Sequence, residues 1–520
     1  MIPVQQRAAT RGMVATVDHL ASGAGIDLLR AGGSAADAAI GASAVLAVTS
    51  QHLCGMGGDL FAVVHHGEPQ PSALNASGRA GAGASAEVLR NEGHLVMPFR
   101  GDVRTATVPG CVDGWIALHE RFGRLPLDHV LAAAVALAEG GFAPSPTLRA
   151  MRSTMGAVEG GADYACESAV IVRTGIANAL RSIAAGGRSA FYEGAFGAGL
   201  LELGAGWFEA EDLAAPQAEW VDTLGRTALG HVLWTIPPNS QGYLALAAAA
   251  ITDQLELPDD PDDPVWPHLL VEASRAAGHD RPTVLHDRAD GAVLVSDERV
   301  AARAAAIRPE APAEWPSERW ATGGTMSLSV VDAERMAVTL IQSNASGYGC
   351  GVVEPSTGIF LHNRGLGFSL VEGHPAELAP GRRPPHTLSP MVVTRHDGSP
   401  AMAIGTMGGD SQPQILLQLL VRLLVHGQAP AEAVAAPRFT LVPRDGGSGF
   451  ETWTSGGVSV KLEGHAPAAW ADGLRQRGHH VTEGPAFDHG AGHAHFVTID
   501  GDILHGAADP RSRSGSAAGY

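Results

Sequence analysis

The stretch Thr322-Gly323-Gly324-Thr325-Met326-Ser327-Leu328-Ser329-Val330-Val331-Asp332 sets two glycines directly before a threonine that opens an alternating strand. Gly324 has no Cβ, so the peptide before Thr325 tolerates strained geometry that other residues resist. The Thr325 hydroxyl is then placed to attack its own preceding carbonyl and cut the chain between Gly324 and Thr325. Such a cut makes Thr325 a new N-terminus. A free α-amino group titrates near pH ~8, close enough to neutrality to serve as a general base. Nucleophile and base then reside on one residue. Taken alone, a Gly-Gly turn leading into a strand explains the same residues.

The chemistry needs a scaffold. The 520 residues suffice for two ordinary domains or one large intertwined unit. Hydrophobic residues at 45% and charged residues at 17% suit a soluble globular enzyme rather than a disordered chain. A net charge of -19 argues against a nucleic-acid partner. No uninterrupted apolar run is long enough to span a membrane, and Met1-Ile2-Pro3-Val4-Gln5-Gln6-Arg7 has no apolar segment of a secretory signal behind it. Cys54, Cys111, Cys166 and Cys350 are scattered without paired spacing, which predicts free thiols in a reducing compartment rather than a disulfide framework or zinc site.

Met13–Thr16 reads as a first short strand. Residues 20–30 have helical apolar spacing and end at Gly32-Gly33, and Ser34 is placed to cap a helix over 35–47. Cys54-Gly55-Met56-Gly57-Gly58-Asp59-Leu60-Phe61 lacks the Lys-Ser/Thr of a phosphate loop and reads as a tight corner before a strand. Residues 128–306 read as mostly helical, with an Asp/Pro-rich surface loop at 258–264. Residues 309–320, rich in Pro, Glu and Trp, read as an exposed tail that leaves the site after cleavage. Beyond Thr325 the pattern turns to strands, with Met326–Val331 and 337–342 forming a hairpin around 332–335. The tail histidines His479, His480, His489, His493 and His495 invite a metal reading, but two histidines at i, i+2 on one strand face are an incomplete site. No metal is expected.

Thr325 and its strand resemble the start of the small subunit of the gamma-glutamyltransferase family, a family of self-cleaving N-terminal-nucleophile hydrolases. The resemblance runs from around Gly12 to Tyr520. It is carried, in family order and spacing, by Ala106-Thr107-Val108-Pro109-Gly110-Cys111-Val112-Asp113-Gly114-Trp115, Pro237-Pro238-Asn239-Ser240-Gln241-Gly242, Gly405-Thr406-Met407-Gly408-Gly409-Asp410, Ala436-Pro437-Arg438-Phe439 and Ala508-Asp509-Pro510-Arg511. It implies an α/β (α+β) fold: a four-layer αββα N-terminal-nucleophile sandwich with additional helices. Residues 1–324 would form a large subunit and 325–520 a small one, both intertwined in one domain from a single precursor. A further homo-oligomer stays open. The family uses no cofactor. Its secreted members carry a leader, so the start of this chain points to the cytoplasm.

The same resemblance assigns roles. Gly408 and Gly409 match the glycine pair whose N–H groups hold the oxyanion, and Ser343 matches a hydroxyl that assists the nucleophile. Arg79 falls where the family binds a substrate carboxylate, a task suited to a planar bidentate donor; Ala80-Gly81 follow it in place of an acidic residue and Ala-Pro. Members that take gamma-glutamyl groups hold the α-amino group with an Asn, a Gln or Glu, and an Asp. Those positions are here Ala345 (beside Asn344), Arg364 and Gly367, and the family's Ser-Ser pair is His386-Thr387. An ammonium partner is lost and a cation added. Arg79, Arg364 and His386, with Asn344 and Thr387, would suit an anionic acyl group lacking an α-amine. The pattern resembles the branch containing oxamate amidohydrolase. Only residues 369–379 stand where some members carry a longer lid, which predicts a more open pocket. The expected function is amide hydrolysis or acyl transfer, through a Thr325 acyl-enzyme, on a small carboxylate-bearing amide, with water or an amine as acceptor. The alternatives are a glutathione hydrolase/gamma-glutamyltransferase that holds the amine through Asn344 or Asp410, a biosynthetic relative removing an oxalyl group by C–C cleavage, and an unprocessed binding protein.

Overall fold

The strand that Thr325 opens is pinned by apolar burial on one face and polar contacts on the other. The computed structural model describes residues 4–151, 158, 168–315, 325–444 and 457–520. In it Met326–Val331 pairs antiparallel with Ala337–Ser343, Met326 opposite Gln342 and Val331 opposite Ala337. The turn between them takes Arg335 to φ +65°, and Asp332 Oδ1 accepts the Glu334 and Met336 N–H groups at 3.1 and 2.9 Å. An Asp that bonds backbone two residues on is a turn former for that reason.

Two seven-stranded antiparallel sheets are built around this hairpin. The first runs Ser516–Gly519, Met13–Thr16, Met326–Val331, Ala337–Ser343, Asp59–His65, Ser72–Ala76, Glu219–Asp222. The second runs Gln6–Ala9, Ile503–Ala508, Ala494–Asp500, Pro400–Thr406, Met391–Thr394, His231–Thr235, Leu224–Ala228. Both sheets interleave strands from before and after position 324. Helices His19–Arg30, Ala35–Thr49 and Cys111–Phe122 cover the outer face of the first sheet, with Met326, Leu328 and Val330 in their shared core. Helices Tyr243–Thr252, Val265–Gly278 and Gln412–Leu420 cover the second. Between the sheets lie Met13, Ala15, Val331, Ala403 and Val497, and beside them Phe61, Val63, Ile341 and Val392. The order of layers is therefore αββα.

This explains the alternation after Thr325. Both faces of Met326–Val331 are buried, so Met326, Leu328 and Val330 face helices while Ser327 and Ser329 face the other sheet, where Ser329 Oγ donates to the His495 carbonyl at 3.0 Å. Each fully buried Leu or Val here contributes roughly 1.5–3 kcal/mol. The helix after Ser34 runs Ala35–Thr49 with every residue buried; its alanines let it lie close to neighbours, and Ser34 Oγ accepts the Asp37 N–H at 3.1 Å in a capping box. The first helix, expected over 20–30, is His19–Arg30.

The described part of 128–306 is mostly helical, as expected, but also holds three strands, Glu219–Asp222, Leu224–Ala228 and His231–Thr235. The first and second are sheet edges whose residues are mainly exposed or half-buried, so they carry no apolar alternation to read. Residues 309–315 are exposed or half-buried, as expected, yet tethered: Arg477 Nε donates to the Pro309 carbonyl at 2.7 Å, the Ala313 N–H to Glu272 Oε2 at 2.7 Å, and Trp315 stacks on His279 at 4.6 Å. Residues 316–320 and Gly324, on the predicted cleavage bond, lie outside the described residues, as does Cys166. Among the described residues no helix is long and apolar enough to cross a membrane.

Candidate active site

Thr325 is fully buried, and its Oγ1 lies 3.1 Å from Ser343 Oγ. The register that sets Met326 against Gln342 brings Ser343 beside it. Ser343 Oγ accepts the Ala345 N–H at 2.9 Å and Arg364 Nη2 at 3.1 Å. Either hydroxyl of the Thr325–Ser343 pair can be the donor. The Ala345 bond requires a tight reversal after Ser343, and Ala345 takes φ +71°. A left-handed alanine costs roughly 1–2 kcal/mol, so this turn is held by its surroundings.

Arg364 sits on the short turn Arg364–Gly367, 2% exposed, and its Nη1 donates to Thr387 Oγ1 at 2.9 Å. Burial lowers it to about 10, so it remains a cation at neutral pH. The counter-charge is Asp59, at the head of Asp59–His65. Asp59 Oδ1 accepts the Gly78 and Gly110 N–H groups at 3.0 and 3.2 Å, and Oδ2 accepts His386 Nε2 at 3.1 Å. Burial pushes this carboxyl up, but His362, His386 and Arg364 outweigh it and hold it at about 2.

His386 differs from expectation. Its Nδ1 accepts the Leu388 N–H at 3.3 Å while Nε2 is bound to Asp59, so both ring nitrogens are committed within the protein. Burial and the Arg364 charge drop it to about 3, leaving it neutral. It joins Asp59 to the Leu388 backbone. Arg79 is partly exposed and pairs with Glu219 at 3.3 Å, a carboxylate it shares with Arg383 at 2.9 Å; the structure does not bring it into the Thr325 network. Asn344 is buried, donates to the Gln51 carbonyl at 3.1 Å, and its Oδ1 has no partner among the described residues. Asp410 is engaged by Arg281 Nη2 at 2.9 Å.

Gly408 and Gly409 take φ +138° and +57° at the start of the turn leading into Gln412–Leu420. A Cβ on Gly408 would lie 2.9 Å from Ile415 Cδ1. Ala403 packs with Val331, and Gly405 lies against Ser327, so the two strands run in opposite senses and the chain beyond Gly405 reaches the Thr325 end. Neither glycine N–H has a protein acceptor among the described residues. Two uncommitted N–H groups before a helix suit a developing oxyanion.

Sequence reasoning missed two residues. Gln241 Nε2 donates to both the Gly409 and Thr387 carbonyls at 2.9 Å, tying the Gly408-Gly409 turn to Thr387; it lay inside a block quoted only for the resemblance it carries. Asp59 lay inside a glycine corner, and the available signal was a carboxylate heading an otherwise apolar strand, which burial allows only with partners. Asp59 titrates near 2 instead of ~3.9, worth on the order of 2 kcal/mol at neutral pH. Because the folded value lies below the unfolded one, that stability is complete above pH ~4 and is lost as pH falls through 2. Asp59→Asn is expected to lose ~3 kcal/mol at pH 7 and to converge on wild type near pH 2, measured by denaturant melts across that range. Equal losses at both ends would contradict an ionised, compensated Asp59.

Among the described residues, Thr325, Ser343 and Arg364 are all buried. Of the tail histidines, His489 and His493 stand edge to face with rings 4.4 Å apart, and two others are bound elsewhere. His479 pairs with His268 at 2.8 Å, His480 with Ser459 at 2.7 Å, and among the described residues no group of three or more His, Cys, Asp or Glu is placed to hold a metal.

Comparisons with known proteins agree with this arrangement. The profile of the gamma-glutamyltranspeptidase family matches residues 21–520. The chain is 34% identical to the oxamate amidohydrolase proenzyme of Klebsiella pneumoniae, over 98% of this chain and 99% of that one. It is 33% identical to the glutathione hydrolase-like YwrD proenzyme of Bacillus subtilis, over 98% of each. The crystal structure of cephalosporin acylase from Bacillus halodurans superposes with a TM-score of 0.88 at 31% identity, covering 99% of this chain and 97% of that one. With an αββα sandwich and a threonine at the head of its central strand, this chain belongs to the gamma-glutamyltranspeptidase family of hydrolases and acyltransferases.

Proposed function

We propose that the chain is cut between Gly324 and Thr325 and then hydrolyses small carboxylate-bearing amides, of the oxamate kind, through a Thr325 acyl-enzyme. The large part, 1–324, and the small part, 325–520, stay together because each sheet uses strands of both. The α-amine of Thr325 takes the proton from Oγ1 as Oγ1 attacks the amide carbon. The oxyanion is held by the N–H groups of Gly408 and Gly409. The C–N bond then breaks and the amine leaves with that proton. Water attacks the ester and the acid departs.

The observation that carries the substrate class is Arg364. It is a buried cation, donating to both Ser343 and Thr387, where gamma-glutamyl-specific relatives accept an ammonium. An α-ammonium there meets like charge and loses a charge-assisted bond worth ~1.5–3 kcal/mol. Asp410, a rival anchor for that ammonium, is already paired with Arg281. The second reading, gamma-glutamyl hydrolysis, is favoured by the uncommitted Asn344 Oδ1. Competitive kinetics with oxamate against a gamma-glutamyl anilide separate the two. The expected kcat/KM is ~10–150-fold higher for oxamate, and the opposite preference would overturn this reading.

A further inference from the structure

The block Ala508-Asp509-Pro510-Arg511-Ser512-Arg513 carries two arginines in opposite situations. Arg511 is buried and paired with Glu463 and, at 3.1 Å, with Asp509. Arg513 is exposed and has no ion pair or side-chain hydrogen bond among the described residues. It lines a cavity of about 380 Å³ together with Arg7, which is likewise exposed and without such a partner among the described residues. The cavity lies between Gln6–Ala9, the edge strand of one sheet, and Ser516–Gly519, the edge strand of the other. Arg7 stands opposite Gly506, and a Cβ on Gly506 would lie 3.0 Å from Met13 Sδ and 3.2 Å from Ala517 Cβ. Directly opposed residues share a face, so Arg7 is directed toward the space between the sheets.

Arg513 is held at this cavity by its backbone. Pro510–Ser512 is a short right-handed turn, and Arg513 follows it at φ +61°, in the left-handed region that a side chain enters at a cost. A right-handed residue followed by a left-handed one turns successive N–H groups to one side, forming a nest that receives anions. The Arg513 and Ser514 N–H groups have no acceptor among the described residues. Asp509 and Ser512, both buried, form the cavity floor. Asp509 adds no free negative charge there. Its Oδ1 accepts the Arg511 N–H and Nη1 at 3.0 and 3.1 Å, and its Oδ2 accepts Arg438 Nη2 and the Ala494 N–H at 2.7 and 2.8 Å. In a chain of net charge -19, two unpaired guanidinium groups and a nest around one cavity make a local positive field.

We propose that this cavity binds a small doubly charged oxyanion, to which Arg7, Arg513 and the N–H groups of the nest donate. A guanidinium suits phosphate and carboxylate alike through its paired N–H donors. Two ions share that chemistry: inorganic phosphate and a small dicarboxylate such as oxalate. The bound ion joins Gln6–Ala9 to Ser516–Gly519 and so ties the two sheets together at one edge. None of the lining residues belongs to the Thr325 hydrogen-bonded set, so the site stands or falls apart from the acyl-enzyme reading.

The test is calorimetric titration of the full-length protein with sodium phosphate and with sodium oxalate at fixed ionic strength, with chloride as the control anion, beside thermal melts. At least one of the two is expected to bind with a Kd below ~1 mM and to raise Tm as its concentration passes Kd. The tighter ion identifies the ligand as tetrahedral or planar. Arg7→Gln and Arg513→Gln are each expected to weaken binding ~10-fold or more, while amide turnover without added anion stays unchanged. Arg513→Gly keeps the left-handed backbone and removes only the side chain, and is expected to weaken binding as Arg513→Gln does. Binding no tighter than that of chloride overturns the proposal, as does binding that all three substitutions leave intact. Binding that survives them and is lost in Arg364→Gln places the ion at the Thr325 site instead.

Discussion

Thr325→Ala is expected to keep the fold and lose turnover altogether, a drop on the order of 10⁴–10⁶-fold in kcat. Thr325 contributes one hydroxyl to the network, and Ser343 Oγ beside it accepts the Ala345 N–H and Arg364 Nη2. With alanine, Ser343 and Arg364 keep their mutual bond, so the pocket stays assembled while the atom that forms the acyl bond is gone. Thr325→Ser restores a hydroxyl and is expected to restore measurable rate. Initial rates with an oxamate-type amide, beside thermal melts, separate this from unfolding. Residual turnover in Thr325→Ala close to wild type would place the chemistry elsewhere.

The second large effect is at Arg364. Arg364→Gln removes two charge-assisted bonds, to Ser343 and Thr387, each worth ~1.5–3 kcal/mol. The expected fall in kcat/KM for a carboxylate-bearing amide is ~10²–10⁴-fold. It should divide between both constants: kcat, because Ser343 loses a charge-assisted bond that holds it beside Thr325, and KM, because the acyl carboxylate loses its cation. Asp59 is also left buried without its nearest permanent positive charge, so stability falls by ~3–5 kcal/mol. Gamma-glutamyl anilide should suffer less than oxamate, since the group that repels its ammonium is gone. An equal loss on both substrates would remove Arg364 from substrate selection.

Much of this site is legible in the sequence because its backbone requirements leave marks. A threonine after two glycines, a glycine pair before a helix, and a serine at the end of a paired strand each advertise geometry before chemistry, and the structure brings Thr325, Ser343, Arg364 and Thr387 into one hydrogen-bonded set. The layered fold is legible for the same reason: the Leu/Ser alternation of Met326–Val331 reports two different neighbours. What sequence hides is which polar atoms are already satisfied. His386 looks available until Asp59 and the Leu388 N–H occupy both its nitrogens. Arg79 is drawn off by Glu219, a residue 140 positions away that no local pattern links to it. Asp59 and Gln241 act through partners remote in sequence, and edge strands such as Glu219–Asp222 lack the burial that writes a period of two.

The most direct measurement is the intact mass of the purified chain, wild type beside Thr325→Ala. A self-processing threonine gives two fragments in the wild type, the smaller beginning at Thr325, and one uncut chain in the variant. A wild type that stays whole on long incubation, or a variant that is cut at the same bond, would contradict Thr325 as the nucleophile.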